Sequence, residues 1–212
     1  DAGPVVHLGD LVDRGPDSRG VIGHLAQGIA AGAPWIALCG NHDLMFRDIL
    51  EGDGRTDADH WLRERIGGRE TLRSYGVAPE DHPNPRTALA AARAAVPAAH
   101  RAFLDRLLLW HESPGVLCVH AGIRPGVALT SQGVEDLCWI REEFHRATEP
   151  HPTLVVLGHT PVAQATHYGN RVNIDTGAGF GRALSVVVIE DGAVSLLTDT
   201  GRVPLTPEGR AT

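Results

Sequence analysis

Cysteine is scarce in this chain, with three among 212 residues, at Cys39, Cys118 and Cys138. An odd number, widely spaced and without a Cys-x-x-Cys pair, excludes a disulfide framework and a thiolate zinc site. The three are expected to be small buried apolar residues of a cytoplasmic protein in a reducing compartment. Basic charge is also short: 19 Lys and Arg stand against 26 Asp and Glu, a formal net charge of -7. A sequence-independent nucleic-acid binder needs a cationic surface, so nucleic acid is not an expected partner. Long hydrophobic runs are missing too. A bilayer span takes about 20 apolar residues, whereas the run at 184–189 already ends at Glu190, so no membrane partner is expected. What remains, 42% hydrophobic residues in a chain of this length, suits a soluble single domain over residues 1–212 with a real core.

Along the chain, residues 5–8 read as a short strand. Val21, Ile22, Leu25 and Ile29 then mark one face of a helix, opened by Asp17 or Ser18 and closed near Gly32. "WIALCG" begins a second strand, and a strand, helix, strand order of this length predicts a parallel βαβ unit. Roughly residues 45–113 read as a helical insertion containing an Ala-rich helix at 87–95 and another helix at 100–110. "GVLCVHAG" and "TLVVLGHTP" return to short buried strands. "ALSVVVIED" and "AVSLLTDT" follow, joined by Asp191-Gly192, a hairpin signal.

The ends of the strands carry the chemical interest. "VVHLG" runs into Asp10, "WIALCG" into Asn41 and His42, "VLCV" into His120 and "LVVLG" into His159. One such residue is more often a cap or a loop hydrogen-bonder than a metal ligand, but four separate accidents are far rarer. If the four strands run parallel in one sheet, their carboxyl ends share the edge where open α/β sheets bind ligands. A carboxylate, an amide and two imidazoles, with no thiolate, form a mixed nitrogen and oxygen set suited to Mn²⁺, Fe or Zn²⁺.

These residues carry a family resemblance. "GDLVDRG" at 9–15, "GNHD" at 40–43, "HAG" at 120–122 and "GHTP" at 158–161 resemble, in order and spacing, the signatures of calcineurin-like metallophosphoesterases. More closely, they are similar to those of bacterial and phage phosphoprotein phosphatases of the PPP type. The resemblance implies an α/β fold of mixed β-sheets packed as a sandwich and flanked by helices. It also implies metal-dependent hydrolysis of phosphomonoesters, with a phosphorylated protein or a small phosphoester as substrate and two divalent ions, Mn²⁺ foremost, as cofactors.

Residue by residue, the resemblance makes Asp10 the carboxylate bridging two ions, and Asn41, His120 and His159 the remaining ligands of the second, with Asn41 also near the phosphate. His42 resembles the general acid, oriented by Asp13; Arg14 and, through "WIREEF", Arg141 resemble the clamp on phosphoryl oxygens. Trp61, Trp110 and Trp139 are expected in the core rather than in a substrate cleft. The family places an Asp-x-His strand before the segment matching Gly9, where only eight residues stand here, so the chain as given is expected to lack that first strand and its ligands. Dinucleoside polyphosphate hydrolysis and a non-catalytic phosphate-binding module are the alternative functions.

Overall fold

The computed structural model describes residues 3–52, 54–148 and 151–207. The chain divides into two units, Asp1–Leu108 and Leu109–Thr212.

In the first unit the first short apolar run gives β1 (Val5–His7) and the second gives β2 (Trp35–Ala37), paired in parallel with Val5 opposite Trp35. Parallel neighbours need a crossover. It is α1 (Ser18–Ala30), whose first turn is closed by the Asp17 carboxylate accepting from the Gly20 amide at 2.8 Å. Ile22 and Leu25 supply its buried face.

Five further helices follow: α2 (Asn41–Glu51), α3 (Ala58–Trp61), α4 (Gly68–Ser74), α5 (Pro85–Ala95) and α6 (Ala98–Leu104). The Ala-rich helix is thus present, started by the Asn84 side chain and by Pro85 at its first position. Its buried Ala88 and Ala92 allow α5 to approach α2 and α3 closely. Phe46, Trp61, Leu72, Leu104 and Ile22 fill the core of this unit.

Two boundaries differ from the sequence reading. The helical segment begins at Asn41, so Asn41 and His42 stand in the first turn of a helix rather than in a loop after a strand. At its other end, α6 stops at Leu104 and the helix expected to reach Trp110 does not form. Leu108 instead donates its amide to Ala37 and accepts from the Cys39 amide, so the chain there extends β2's ladder. Backbone pairing to an exposed strand end outweighs a weak local helix preference.

The second unit opens with β3 (Trp110–Ser113) and β4 (Val116–Val119), an antiparallel pair. Two short helices, α7 (Val134–Trp139) and α8 (Glu142–His145), precede β5 (Leu154–Leu157), β6 (Thr166–His167) and β7 (Arg171–Asn173). The five strands run in the order β3-β4-β5-β7-β6, with β4, β5 and β7 mutually parallel. A three-stranded antiparallel sheet closes the unit: β8 (Val187–Glu190), β9 (Ala193–Thr198) and β10 (Gly201–Pro204). Asp191 and Gly192 both adopt positive φ, 50° and 79°, as a two-residue hairpin turn of the right twist requires.

The four strands expected in one sheet therefore form two parallel pairs, β1 with β2 and β4 with β5, because β3 rather than β2 takes the place beside β4. Cys39, Cys118 and Cys138 are buried thiols, and burial pushes the Cys118 thiol up to about 11. No helix among the described residues is long and apolar enough to cross a membrane.

Candidate active site

In the first unit the segment after β1 is held in an unusual backbone. Asp10, Asp13 and Arg14 all have positive φ, at 55°, 71° and 59°, and so does His159 in the second unit, at 65°. Among the described residues the fifth non-glycine residue of this kind is Asp191, at its hairpin turn. Each left-handed non-glycine residue costs of order 1–3 kcal/mol, and such cost persists where the surroundings fix the conformation. Strain thus falls on four residues singled out from the sequence for chemistry.

What fixes Asp10 is the amino-terminal end of α2. The Asp10 carboxylate accepts from the His42 amide at 3.0 Å, and the Asp43 carboxylate accepts from the amides of Asp10 and Gly40 at 2.8 Å and of Leu11 at 2.9 Å. A carboxylate in the first turn also suits the helix dipole. Burial and the neighbouring Asp10 charge push the Asp43 carboxyl up, while its three backbone donors oppose that shift. The approach of the two segments leaves no room for side chains at the contact. A Cβ on Gly9, whose φ is +88°, would lie 2.4 Å from the Gly40 nitrogen, and one on Gly40 would lie 2.1 Å from an Asp10 carboxylate oxygen. Asn41 is buried beside them at the start of α2.

His42 points at Asp13, with Nδ1 2.7 Å from Oδ2 and both side chains almost fully buried. The Asp13 carboxylate takes two more donors: Trp61 Nε1–H on Oδ2 at 3.0 Å and the Thr71 hydroxyl on Oδ1 at 2.7 Å. Burial raises the Asp13 carboxyl above the ordinary range, and its hydrogen bonds and the His42 charge only partly offset this. For His42 burial is the largest single influence and favours the neutral ring. It is outweighed by the hydrogen bond to Asp13 and the charges of Asp10 and Asp13, so the net shift is upward, with Arg14 opposing. On the other face of the ring, Arg14 Nη2 stands 2.9 Å from Nε2. A guanidinium can only donate, so here Nε2 accepts and Nδ1 carries the proton toward Asp13. Arg14 is itself placed by the carbonyl of Arg65, 3.2 Å from Nε, and by its amide on the Gly67 carbonyl.

In the second unit, β4 is followed directly by His120 and β5 by Gly158 and His159. The Gly158 amide donates to the His120 carbonyl at 2.8 Å, which registers the two strand ends, and the Asn173 side chain donates to the Thr160 carbonyl at 2.8 Å. The rings meet edge to face, His120 Nε2 3.2 Å from His159 Nδ1, both buried. Two imidazole nitrogens on neighbouring positions of one ion, each about 2.0–2.1 Å from it, would be roughly 3.0–3.4 Å apart. The pair therefore fits a divalent metal. Arg141, exposed at the start of α8, donates to the Thr160 hydroxyl at 3.2 Å.

Some of this was not read from the sequence. Asp43 was visible in principle as the acidic residue three places into a helix, the capping-box position. Thr71 gave no signal, since its partner Asp13 is 58 residues away. Trp61 is a core residue as expected, with no exposed surface and stacked on Phe46, but it also spends its N–H on Asp13. Trp139 departs from the expected core position: it is 38% exposed and stands edge-on to His159.

Solved structures share this fold. A cold-active protein-tyrosine phosphatase from the psychrophile Shewanella sp. matches with a TM-score of 0.60 over 95% of this chain and 69% of that one, at 15% identity. A cold-active protein tyrosine phosphatase structure at 1.1 Å gives 0.61 over 95% and 68%, also at 15% identity. No curated protein matches. The calcineurin-like phosphoesterase profile aligns with residues 4–189, taking in the ends of β1, β2, β4 and β5, and the chain belongs to that family.

Proposed function

We propose that the protein is a metal-dependent phosphoprotein phosphatase of the bacterial PPP type, cytoplasmic, acting on phosphoserine and phosphothreonine and extending to phosphotyrosine. Hydrolysis of phosphoesters follows from the family; the protein substrate, Mn²⁺ and the residue roles are our reading. Asp10, Asn41, His120 and His159 would hold the metal, and a single family profile over residues 4–189 supports reading the chain as one phosphoesterase domain. Divalent ions, when bound, supply positive charge to phosphoryl oxygens and make a water nucleophilic at neutral pH.

The chain's own groups do the rest. Arg14 and Arg141 present paired N–H donors to the phosphoryl oxygens, a geometry that guanidinium offers and ammonium does not. When Arg14 turns to the phosphate it leaves His42 Nε2 free to take up a proton from solvent, and the imidazolium so formed gives that proton to the departing alkoxide oxygen and returns to the neutral ring. Asp13 holds Nδ1–H throughout, fixing ring orientation and stabilising the charged form. The observation that carries this reading is the buried Asp13–His42 pair at 2.7 Å with Arg14 against its other nitrogen.

The test is turnover by the full-length protein with Mn²⁺ of phosphoserine, phosphothreonine and phosphotyrosine peptides against diadenosine tetraphosphate. Higher kcat/KM on the peptides supports the proposal. Preference for the dinucleotide would make it a polyphosphate hydrolase, and phosphate binding without turnover would make it a recognition module.

A further inference from the structure

Both oxygens of the Asp13 carboxylate are committed to groups from the helical insertion as well as to His42. Oδ2 takes His42 Nδ1–H and Trp61 Nε1–H; Oδ1 takes the Thr71 hydroxyl. Thr71 Oγ1 in turn accepts from the Asp13 amide at 2.9 Å, so one hydroxyl grips both ends of the same residue. Its single proton is given to the carboxylate, which makes Ser18, 3.1 Å away, the donor in the Ser18–Thr71 bond. Thr71 and Ser18 are buried, and Trp61 is fully so.

Burying a carboxylate is costly unless every acceptor position finds a donor. A bare Asp–His pair would satisfy one oxygen only, and the carboxyl could rotate. Three donors from α2, α3 and α4 remove that freedom and fix which oxygen faces His42. The grip extends to the histidine's own helix. Trp61 stacks on Phe46 of α2, four residues after His42, with ring centroids 5.7 Å apart and planes 15° apart. Gly68 at the start of α4 makes room for the indole, since a Cβ there would lie 2.5 Å from its ring.

From this geometry we infer that Trp61 and Thr71 are positioning residues for the acid step, holding Asp13 so that His42 keeps one tautomer and one direction toward the leaving group. The helical insertion, on this view, contributes to the reaction as well as to the core. The inference rests on the role given above to His42, so its test needs a readout that does not depend on turnover.

Trp61→Phe keeps an aromatic ring against Phe46 and removes the N–H together with part of the indole. Thr71→Val keeps the shape and loses the hydroxyl, and Thr71→Ser restores it. In the full-length Mn²⁺-loaded enzyme, Trp61→Phe and Thr71→Val should lower kcat on a phosphoserine peptide by about 10–100-fold, the usual range for outer-shell partners of a site, with KM little changed. p-Nitrophenyl phosphate, whose leaving group needs no proton, should lose far less. Thr71→Ser should recover most of the loss.

Independently, in the metal-free full-length protein, the far-downfield proton resonance of His42 Nδ1–H should shift in Trp61→Phe and Thr71→Val and stay in place in Thr71→Ser. An unmoved resonance in the first two variants overturns the inference, whether or not the protein hydrolyses any substrate. Equal losses on both substrates in the active enzyme also overturn it, because a purely structural role affects the two alike. Failure of all turnover with a shifted resonance would sink the phosphatase reading and leave the positioning role standing.

Discussion

The two arginines assigned to phosphate stand in different surroundings. Arg14, in the first unit, is half-buried, with its amide on Gly67, its Nε on Arg65 and a terminal nitrogen on His42. Arg141, in the second, is exposed and donates to one hydroxyl, that of Thr160. A similar contrast separates the Asp13–His42 pair from the His120–His159 pair. Around Asp10 and Asp13, backbone amides and the insertion's side chains fix every carboxylate described. At the ends of β4 and β5, two histidines are set ring against ring, an arrangement that suits an ion. The lesson is that the Asp13–His42 pair is held by protein groups on every side, whereas the His120–His159 pair is arranged for a guest that completes it.

Variants can break or sharpen that contrast. The largest effect is expected from His159→Ala, which should remove bound metal and phosphatase activity together, with stoichiometry read by elemental analysis. His42→Ala should retain its metal and lose about a hundred- to ten-thousand-fold in kcat on poor leaving groups. A matching loss of metal in that variant would contradict the division of labour. Asp43→Ala leaves the amides of Gly40, Asp10 and Leu11 without their acceptor and should cost about 3 kcal/mol in urea unfolding, more than any variant of Arg14 or Arg141. Arg14→Ala, which removes a partly desolvated charged donor, should lower kcat/KM about 10–100-fold; Arg141→Ala, in solvent, by less than about tenfold. Equal effects of the two arginines would erase the comparison.

How much of this was legible depended on range. Asp10, His120 and His159 were visible because a short apolar run ending in a metal-capable side chain is a local pattern. The hairpin at Asp191-Gly192 was local too, and α1 and α5 followed from their periodicity and caps. Thr71 on Asp13 was not legible, since the two are 58 residues apart and α1, α2 and α3 intervene before α4 brings the hydroxyl. The end of α6 failed for a related reason: Leu108 answers to a strand 70 residues earlier rather than to its own neighbours. β10, exposed at every position, carries no alternation from which to predict it.

The central claim is the proposal that Asp10 and His159 are ligands to a divalent metal. The most direct measurement is Mn²⁺ per chain after equilibrium dialysis of the full-length protein, its Asp10→Asn variant and its His159→Ala variant. Either substitution is expected to lower the stoichiometry or affinity of bound Mn²⁺. Unchanged Mn²⁺ binding in either variant would contradict the account.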